Sequence, residues 1–218
     1  MLGVIAAMQN EADIVLKHCT AVRRAQLFGR TVWHAELYNK DILLVLSGVG
    51  KTNAAASAML ALSQGADKLL NVGAAGGLAP QAKIGSVVRI ARAVQSDFDL
   101  SVINGTSVGT LNEYETPYLP AADVKGARYA ACTLASADHF GCGTDREIEQ
   151  ALGAQVRDME GAAIAHVADR AGVPWAMYKA ISDNAGEDSP REYAENLALA
   201  LDALSEALEN ILEEVCNG

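Results

Sequence analysis

Short apolar runs alternate with longer alanine-rich segments along the whole chain. Apolar runs of about four to eight residues between turn residues are typical of buried strands, and longer runs that follow a capping residue are typical of helices. The pattern predicts strands over residues 2–7, 31–37, 41–47, 68–74, 86–93, 128–135 and 175–182. It predicts helices from about Asn10, over 53–64, over 159–171 and over 193–215.

Turn residues support several of these boundaries. Asn39 and Lys40 predict a hairpin-like turn between the strands 31–37 and 41–47. Gly172 predicts the end of the helix over 159–171, and Pro174 lies just beyond it. Both signals come from residues that favour turns, so they set the ends of elements independently of the apolar pattern.

Strands that alternate with helices are typical of an α/β fold with a largely parallel sheet covered on both faces. The chain has no repeat, low-complexity tract or linker, so we expect one domain over residues 1–218. We interpret the irregular polar stretch 97–115 as a long functional loop. Ligands bind such folds beyond the carboxyl ends of the strands, so the segments that follow strands are the expected site.

Composition and charge exclude several classes of function. Half of the 218 residues are hydrophobic, a fifth are charged, and no apolar run reaches the length of a membrane span. The start lacks a basic region, so we expect no signal peptide and a cytoplasmic, soluble protein. A net charge of -10 argues against nucleic acid as a partner. The four cysteines form no CxxC pair, and we expect Cys132 and Cys142 to be buried thiols.

Two glycine motifs invite a nucleotide interpretation that their spacing does not support. The segment GVGKT at 48–52 ends like a phosphate-binding loop, but Val45 stands where that loop requires its first glycine. A tight turn or a helix start beside a small ligand are the alternatives. The segment GAAGG at 73–77 does not match the dinucleotide pattern. Its glycines would let the backbone approach a flat ligand closely.

Three carboxylates lie at the ends of predicted elements: Glu11, Glu160 and Asp183. Taken singly, Glu11 is more typical of a helix start, and Asp183 of a turn, than of a catalyst. Glu160 begins an apolar helix, so it either faces solvent or is held in a polar pocket. Together they suit glycosidic bond cleavage, which requires one acid at the leaving group and one base for water. The histidines have no metal-ligand spacing, so no metal is implied. Ser47 and Ser182 lack the surroundings of a serine nucleophile.

Six segments of the chain resemble those of a known family, the 5′-methylthioadenosine/S-adenosylhomocysteine nucleosidases of the nucleoside phosphorylase superfamily. The similar segments are GVIAAMQNE at 3–11, SGVGK at 47–51, NVGAAGGL at 71–78, SADHF at 136–140, DMEGA at 158–162 and AISD at 180–183. They occur in the order typical of the family and span about the whole chain. The resemblance implies a single α/β domain with a mixed, twisted sheet flanked by helices, and a homodimer without a cofactor.

The resemblance also implies roles for individual residues. Asp183 would protonate N7 of the purine, Glu11 would activate the attacking water, and Glu160 would bind the ribose hydroxyls. Met159 would pack against the sugar and Phe140 would stack on the base. Carboxylates beside the ribose would stabilise an oxocarbenium-like transition state. The full substrate-binding set that it implies is Met8, Val49, Ala75, Gly76, Phe140, Gly141, Asp158, Met159, Glu160, Lys179, Ser182 and Ala185.

Hydrolysis is favoured over phosphorolysis, because a phosphate pocket prefers arginine. Glu11 lies where phosphorylases place phosphate ligands, and Asn71 stands where related phosphorylases carry an arginine. The substrate that we expect is 5′-methylthioadenosine or S-adenosylhomocysteine. A hydrolase for another nucleoside such as aminodeoxyfutalosine, a phosphate-dependent phosphorylase and a non-catalytic nucleoside-binding protein are the alternatives.

The sequence also departs from the family pattern. Lys179 stands where arginine is usual, Ala74 replaces a hydroxyl residue near the ribose, and Ala137 replaces a glycine. The segment 120–128 is shorter than in typical members and lacks a predicted helix. These changes, with the different loop over 97–120, bear on the region beside the 5′ end of the substrate.

Overall fold

A computed structural model describes residues 1–124, 126–140, 145–186 and 188–217. Its strands are β1 (Leu2–Ala6), β2 (Cys19–Leu27), β3 (Arg30–Leu37), β4 (Lys40–Leu46), β5 (Lys68–Gly77), β6 (Val87–Gln95), β7 (Leu119–Pro120), β8 (Ala131–Ser136), β9 (Val156–Asp158) and β10 (Trp175–Asp183). Its helices are α1 (Gln9–Lys17), α2 (Lys51–Ser63), α3 (Ser101–Asn104), α4 (Arg146–Ala151), α5 (Gly161–Ala171) and α6 (Ser189–Asn217).

The strands form one mixed sheet, as the family resemblance implies. Its order is β10-β6-β8-β9-β5-β1-β4-β3-β2, and β7 pairs with β6. Because β10 also pairs with β5, the strands β5, β10, β6, β8 and β9 close into a ring of pairings. The expectation of a largely parallel sheet was wrong, since β6, β8 and β9 run antiparallel to β5 and β10, and β2–β3–β4 is an antiparallel meander.

Two tight turns build that meander. Phe28 and Gly29 join β2 to β3, and Tyr38 and Asn39 join β3 to β4, all four with positive φ. Two successive residues with positive φ match the right-handed twist of a hairpin, which explains why the strands turn back immediately. The hairpin predicted between 31–37 and 41–47 is therefore confirmed, with its turn one residue earlier.

The hydrophobic core lies on both faces of the sheet. One buried cluster packs α2 and α5 against the strands, and it includes Ile5, Leu43 and Ile164. The other packs α1 and α6 against the opposite face, and it includes Val4 and Leu208. Sandwiching the central strands between helix layers explains their uninterrupted apolar sequence.

Several elements differ from their predicted bounds in ways that matter for the site. The strand predicted over 68–74 continues to Gly77 as β5, and the terminal helix begins at Ser189, ahead of the predicted residue 193. Gly172 ends α5 with a φ of 67°, as its position predicted. The irregular stretch over 97–115 contains the short helix α3, and residues 119–124 and 126–130 contain no helix.

Candidate active site

One cleft collects most of the predicted site residues. It opens to solvent and carries charged and aromatic side chains on a largely apolar wall, which is typical of a site for a small organic ligand. The ends of β5 and β10 and the starts of α1 and α6 border it. The predicted site residues that line it are Met8, Glu11, Val49, Ala75, Gly76, Phe140, Asp158, Met159, Glu160, Ser182, Asp183 and Ala185. Gly141 lies outside the described residues.

Glu11 is the third residue of α1 and turns back over the start of the helix. One carboxylate oxygen, Oε2, accepts the N–H groups of Ala7 at 2.9 Å and Met8 at 3.0 Å. The other, Oε1, accepts the N–H of Ala74 on β5 at 2.8 Å. The carboxylate thus occupies a seat made of three backbone N–H donors. Gly73 makes the approach possible, because a Cβ at that position would lie 2.5 Å from Oε1.

Asp183 ends β10 and is held by local contacts. Its Oδ1 accepts the N–H of Ala185 at 2.9 Å, and its Oδ2 accepts the hydroxyl of Ser182 at 2.9 Å. The pairing of β10 with β5 shifts register between Ile181 and Asp183, and such a bulge re-aims side chains. Gly76 faces the carboxylate, since a Cβ there would lie 2.9 Å from Oδ1.

Asp158 and Glu160 lie at the start of α5. Asp158 accepts the hydroxyl of Ser136 and the N–H of Gly161, the latter at 2.9 Å, so it binds a free backbone donor at the first residue of α5. Glu160 accepts the N–H of Gly50 at 2.8 Å, across from the start of α2. Each carboxylate is buried and satisfied by contacts that also fix the helix ends, so their positions are built into the fold.

Lys179 lies behind the cleft wall and does not line it. Its side chain is 2% exposed and pairs with Asp158, with 2.8 Å between Nζ and Oδ2. Burial lowers the pKa of Lys179, but the carboxylates of Asp158, Glu160 and Glu11 outweigh burial and raise it above its usual value. This buried ammonium therefore stays charged and balances part of the negative charge of the site.

Burial raises the pKa of two carboxyl groups of the site, Glu11 and Glu160. Burial raises the pKa of Glu11 above its usual value, although Lys179 and three backbone N–H groups favour the charged form. Burial and repulsion from Asp158 raise the pKa of Glu160 to about 7. Carboxyl groups with different environments in one cleft are a common basis for acid and base chemistry.

Sequence reasoning missed part of the cleft wall. Tyr193, in the second turn of α6, meets Phe140 edge to face with 5.8 Å between ring centroids. Its hydroxyl also donates to the sulfur of Met8 at 3.2 Å. The pattern placed Tyr193 only as the first residue of a helix, although an aromatic residue there is a signal for a site. The other lining residues not predicted are Ala7, Ala74, His139, Arg157 and Ser189.

The segment GVGKT is a tight strand-to-helix turn and does not form a phosphate loop. The N–H groups of Gly50 and Lys51 at the start of α2 already bind Glu160 and Asp138, the latter at 2.7 Å. The ammonium of Lys51 pairs with Asp97 at 2.5 Å. A phosphate would have to displace carboxylates from the donors that such a loop uses.

The described residues contain no cluster of His, Cys, Asp or Glu side chains that would hold a metal ion. Within the same ranges, no helix has the length and apolar character needed to cross a membrane. Cys132 is a buried free thiol, as expected, and burial raises its pKa to about 11. Cys142 lies outside the described residues.

Comparison with known proteins places the chain in a family. The model of the phosphorylase superfamily matches residues 1–217. A nucleosidase of Marinomonas sp. strain MWYL1, named for 5′-methylthioadenosine and S-adenosylhomocysteine, is 30% identical over 98% of both chains. The chain belongs to the 5′-methylthioadenosine/S-adenosylhomocysteine nucleosidase family. The resemblance inferred from the six segments is thus confirmed.

Solved structures agree with this family assignment. The family member from Neisseria meningitidis, in complex with methylthio-immucillin-A, has a TM-score of 0.89 at 26% identity, with 97% of each chain covered. A futalosine hydrolase of Helicobacter pylori has a TM-score of 0.90 at 24% identity, over 98% of this chain and 97% of that one. At that identity the second likeness shows the fold alone.

Proposed function

We propose that this chain hydrolyses the N-glycosidic bond of 5′-methylthioadenosine and S-adenosylhomocysteine and releases adenine. The observation that carries the proposal is the convergence of Glu11, Glu160 and Asp183, from three separate segments, on one cleft. An N-glycosidase needs an acid for the departing base and a base for water, and these carboxylates can supply both. The family membership of the chain supplies the substrate class.

In this proposal Asp183 is the general acid and protonates N7 of the purine. Two neutral groups hold its side chain, the N–H of Ala185 and the hydroxyl of Ser182. Gly76 leaves room for the carboxylate of Asp183 itself, because a Cβ there would lie 2.9 Å from Oδ1. Phe140 is half-exposed on the cleft wall. In this proposal its ring stacks on the base.

Glu11 activates the attacking water, and Glu160 accepts hydrogen bonds from the ribose hydroxyls. Met159 lines the cleft beside Glu160 and packs against the sugar. As the glycosidic bond breaks, positive charge develops on the ribose. Buried carboxylates next to that ring stabilise the charge, and they are in place before it appears.

The seat of Glu11 favours water over phosphate as the nucleophile. Its carboxylate already takes the three N–H donors that would otherwise form an anion site. Arg157 is the one arginine among the described residues that line the cleft, and its guanidinium pairs with Asp145 and Glu149. Phosphate would therefore meet a fixed negative charge and no free guanidinium.

A panel of nucleosides, assayed for base release with and without inorganic phosphate, tests the proposal. We expect adenine from 5′-methylthioadenosine and S-adenosylhomocysteine at rates that phosphate does not change. Strict dependence on phosphate would overturn the hydrolase assignment. Faster release of base from aminodeoxyfutalosine than from either thio-nucleoside would keep the reaction and change the substrate.

We also propose that the chain forms a homodimer. Exposed apolar side chains support this: Val102 and Ile103 on α3 are 92% and 78% exposed, and Met59 on α2 is more than half exposed. Asp97 pairs with Lys51 at the start of α2, which ties the chain just before α3 to that helix. Large apolar side chains exposed in a single chain are often covered at an interface between subunits.

A further inference from the structure

Arg157 on β9 is the centre of a charge cluster beside the cleft. Its side chain is 5% exposed and has two carboxylate partners, with 2.9 Å from one terminal nitrogen to Glu149 and 2.9 Å from the other to Asp145. The second nitrogen also lies 3.1 Å from Nε2 of His139. None of these four residues has a part in the proposed chemistry.

The cluster has two branches: the pair with Glu149, which lies inside the protein, and the contacts with Asp145 and His139, which extend to the cleft. Glu149 on α4 is almost fully buried, so the Arg157–Glu149 pair joins β9 to α4 inside the protein. Asp145 accepts from Arg157 and lies 2.8 Å from His139. The guanidinium of Arg157 and an N–H of the His139 imidazole are both hydrogen-bond donors. The carboxylate of Asp145 accepts from both and so joins the two side chains.

The second branch ends at the cleft wall. His139 directly precedes Phe140, whose ring lines the cleft and packs against Tyr193. Arg157 itself lines the cleft, and its strand pairs with β5 at Gly76, the residue that faces Asp183. One guanidinium is therefore linked through hydrogen bonds to the residue before the aromatic ring and through the sheet to the proposed acid.

We propose that Arg157 is a positioning residue, which fixes Phe140 against the purine by holding His139 and Asp145 together. This inference rests on the proposed function, because it takes Phe140 as the residue that stacks on the base. A rigid stacking face loses less conformational freedom when substrate binds, so the guanidinium improves binding of the base without touching the reacting atoms.

A purely structural ion pair would behave differently, and the two branches separate the cases. Asp145→Asn weakens the branch to His139 and leaves the Arg157–Glu149 pair. Glu149→Gln weakens the inner pair and leaves the branch to the cleft. We expect Asp145→Asn to raise KM by about 5-fold to 10-fold with kcat within about 3-fold. We expect Glu149→Gln to lower the thermal midpoint and leave KM unchanged.

A double-mutant cycle with Phe140→Ala tests whether Asp145→Asn raises KM through the ring of Phe140. If Arg157 and Asp145 act through the ring, Asp145→Asn has no further effect on KM once Phe140 is alanine. Arg157→Lys keeps the charge but loses the two-pronged geometry, so it falls between the wild type and Asp145→Asn. Arg92→Met is the matched control, because that arginine bonds Thr133 and stacks on Tyr118 outside the cleft lining.

The same double-mutant cycle can be measured without turnover, as the affinity of each variant for adenine by calorimetry. Additive effects of Asp145→Asn and Phe140→Ala on adenine affinity, or an unchanged affinity in Asp145→Asn, would overturn the positioning role. A wild type that binds adenine with the expected coupling but cleaves none of the thio-nucleosides would instead overturn the proposed function and leave the positioning role standing.

Discussion

Asp183 and Glu11 are both buried carboxylates, yet their surroundings differ. Asp183 accepts from one hydroxyl and one N–H group. Glu11 accepts from three N–H groups and lies within the field of the Lys179 ammonium. Two carboxyl groups in distinct environments can divide the acid and base roles of a glycosidase. This contrast supports Asp183 at the base and Glu11 at the water.

Replacing Asp183 by asparagine is the direct test of the general acid. Asparagine keeps the size of the side chain and can still accept the N–H of Ala185, so the fold stays intact. It cannot deliver a proton to the purine, and we expect kcat to fall by about 10²-fold to 10⁴-fold. The check is kcat alongside the thermal unfolding midpoint.

A matched control for this substitution is Asp188→Asn. The side chain of Asp188 is 75% exposed and pairs only loosely with Arg191, at 3.6 Å. We expect wild-type kcat and wild-type stability from it, since exposed pairs contribute little. Near-normal turnover in Asp183→Asn would remove that residue from the role of acid.

The raised pKa of Glu160 predicts opposite effects of pH on binding and on stability. The group has a pKa of about 7 in the folded protein against 4.5 as its usual value. Its stabilising contribution is therefore complete below about pH 4.5 and is lost as pH rises towards about 7. The proposed ribose contact needs the carboxylate, so kcat/KM should instead rise through the same upper range.

Glu160→Gln separates these effects. We expect the step in kcat/KM near neutral pH to disappear and kcat/KM to be low at every pH, because an uncharged amide is a poorer acceptor for the ribose hydroxyls. The measurement is kcat/KM from about pH 5.5 to pH 8.5, with thermal midpoints of the ligand-free protein in the same buffers. A wild-type profile in the variant would show that Glu160 is not the titrating group.

Among the elements, β5 determines how closely the proposed catalytic carboxylates approach the backbone. Three of its glycines face groups that leave no room for a side chain: Gly73 faces Glu11, Gly76 faces Asp183, and Gly77 faces the carbonyl of Ala82. A strand normally loses stability from glycine. Here the glycines bring the two proposed catalytic carboxylates close to the backbone of one strand.

Gly73→Ala should affect catalysis more than folding. The new methyl group would lie 2.5 Å from Oε1 of Glu11, so the carboxylate must leave the N–H of Ala74. We expect kcat/KM to fall by about 10²-fold, in the range of a lost general base.

Gly65→Ala provides the comparison for this change. Gly65 has a φ of 93° and nothing within 4 Å of an added Cβ. Alanine there costs about 1–2 kcal/mol in stability from the left-handed backbone, without an effect on kcat/KM. Equal kcat/KM in the two variants would contradict the role given to Gly73.

The elements that the sequence pattern predicted well are the buried ones. The strands at β1, β4 and β10 read clearly because they are apolar on both faces. The strand β2 was missed because most of its side chains are exposed, so its sequence carries Arg23 and Arg24 and little apolar signal. The three residues of β9 are too few for any periodicity, and the glycines that end β5 do not favour a strand.

The proposed active-site carboxylates were accessible from sequence because they follow apolar strands or begin helices in segments typical of a family. The charge cluster around Arg157 could not be predicted from the sequence. Its partners His139, Asp145 and Glu149 all lie within residues 139–149, but their spacing matches no short motif that would single them out. Charged residues at such spacings are usually solvated, and only the fold shows that Arg157 is buried.

At the scale of the whole molecule, the exposed apolar residues of α3 predict the assembly state. We expect light scattering at micromolar concentration to give a dimer for the wild type. The pair Val102→Asp and Ile103→Asp should give a monomer, because a charge buried at a subunit interface is costly. Both side chains are exposed in the single chain, so the folded monomer itself should tolerate them.

Leu199→Asp is the control for the dimer prediction. Leu199 is also exposed, at 55%, but it belongs to α6, which packs on the face of the sheet opposite α2. We expect this variant to remain dimeric. A monomeric wild type would contradict the proposed assembly, and a dimer that survives both changes in α3 would place the interface elsewhere.

The seat of Glu11 has a consequence for how the protein responds to its solution. The Glu11 carboxylate is attached to the chain and already oriented towards its three N–H donors, so its effective concentration there exceeds that of any dissolved anion. Raising the phosphate content of a buffer should therefore leave the seat filled. A dissolved anion would gain access to these N–H groups only in a variant with a shorter side chain at residue 11 and an added cationic side chain nearby.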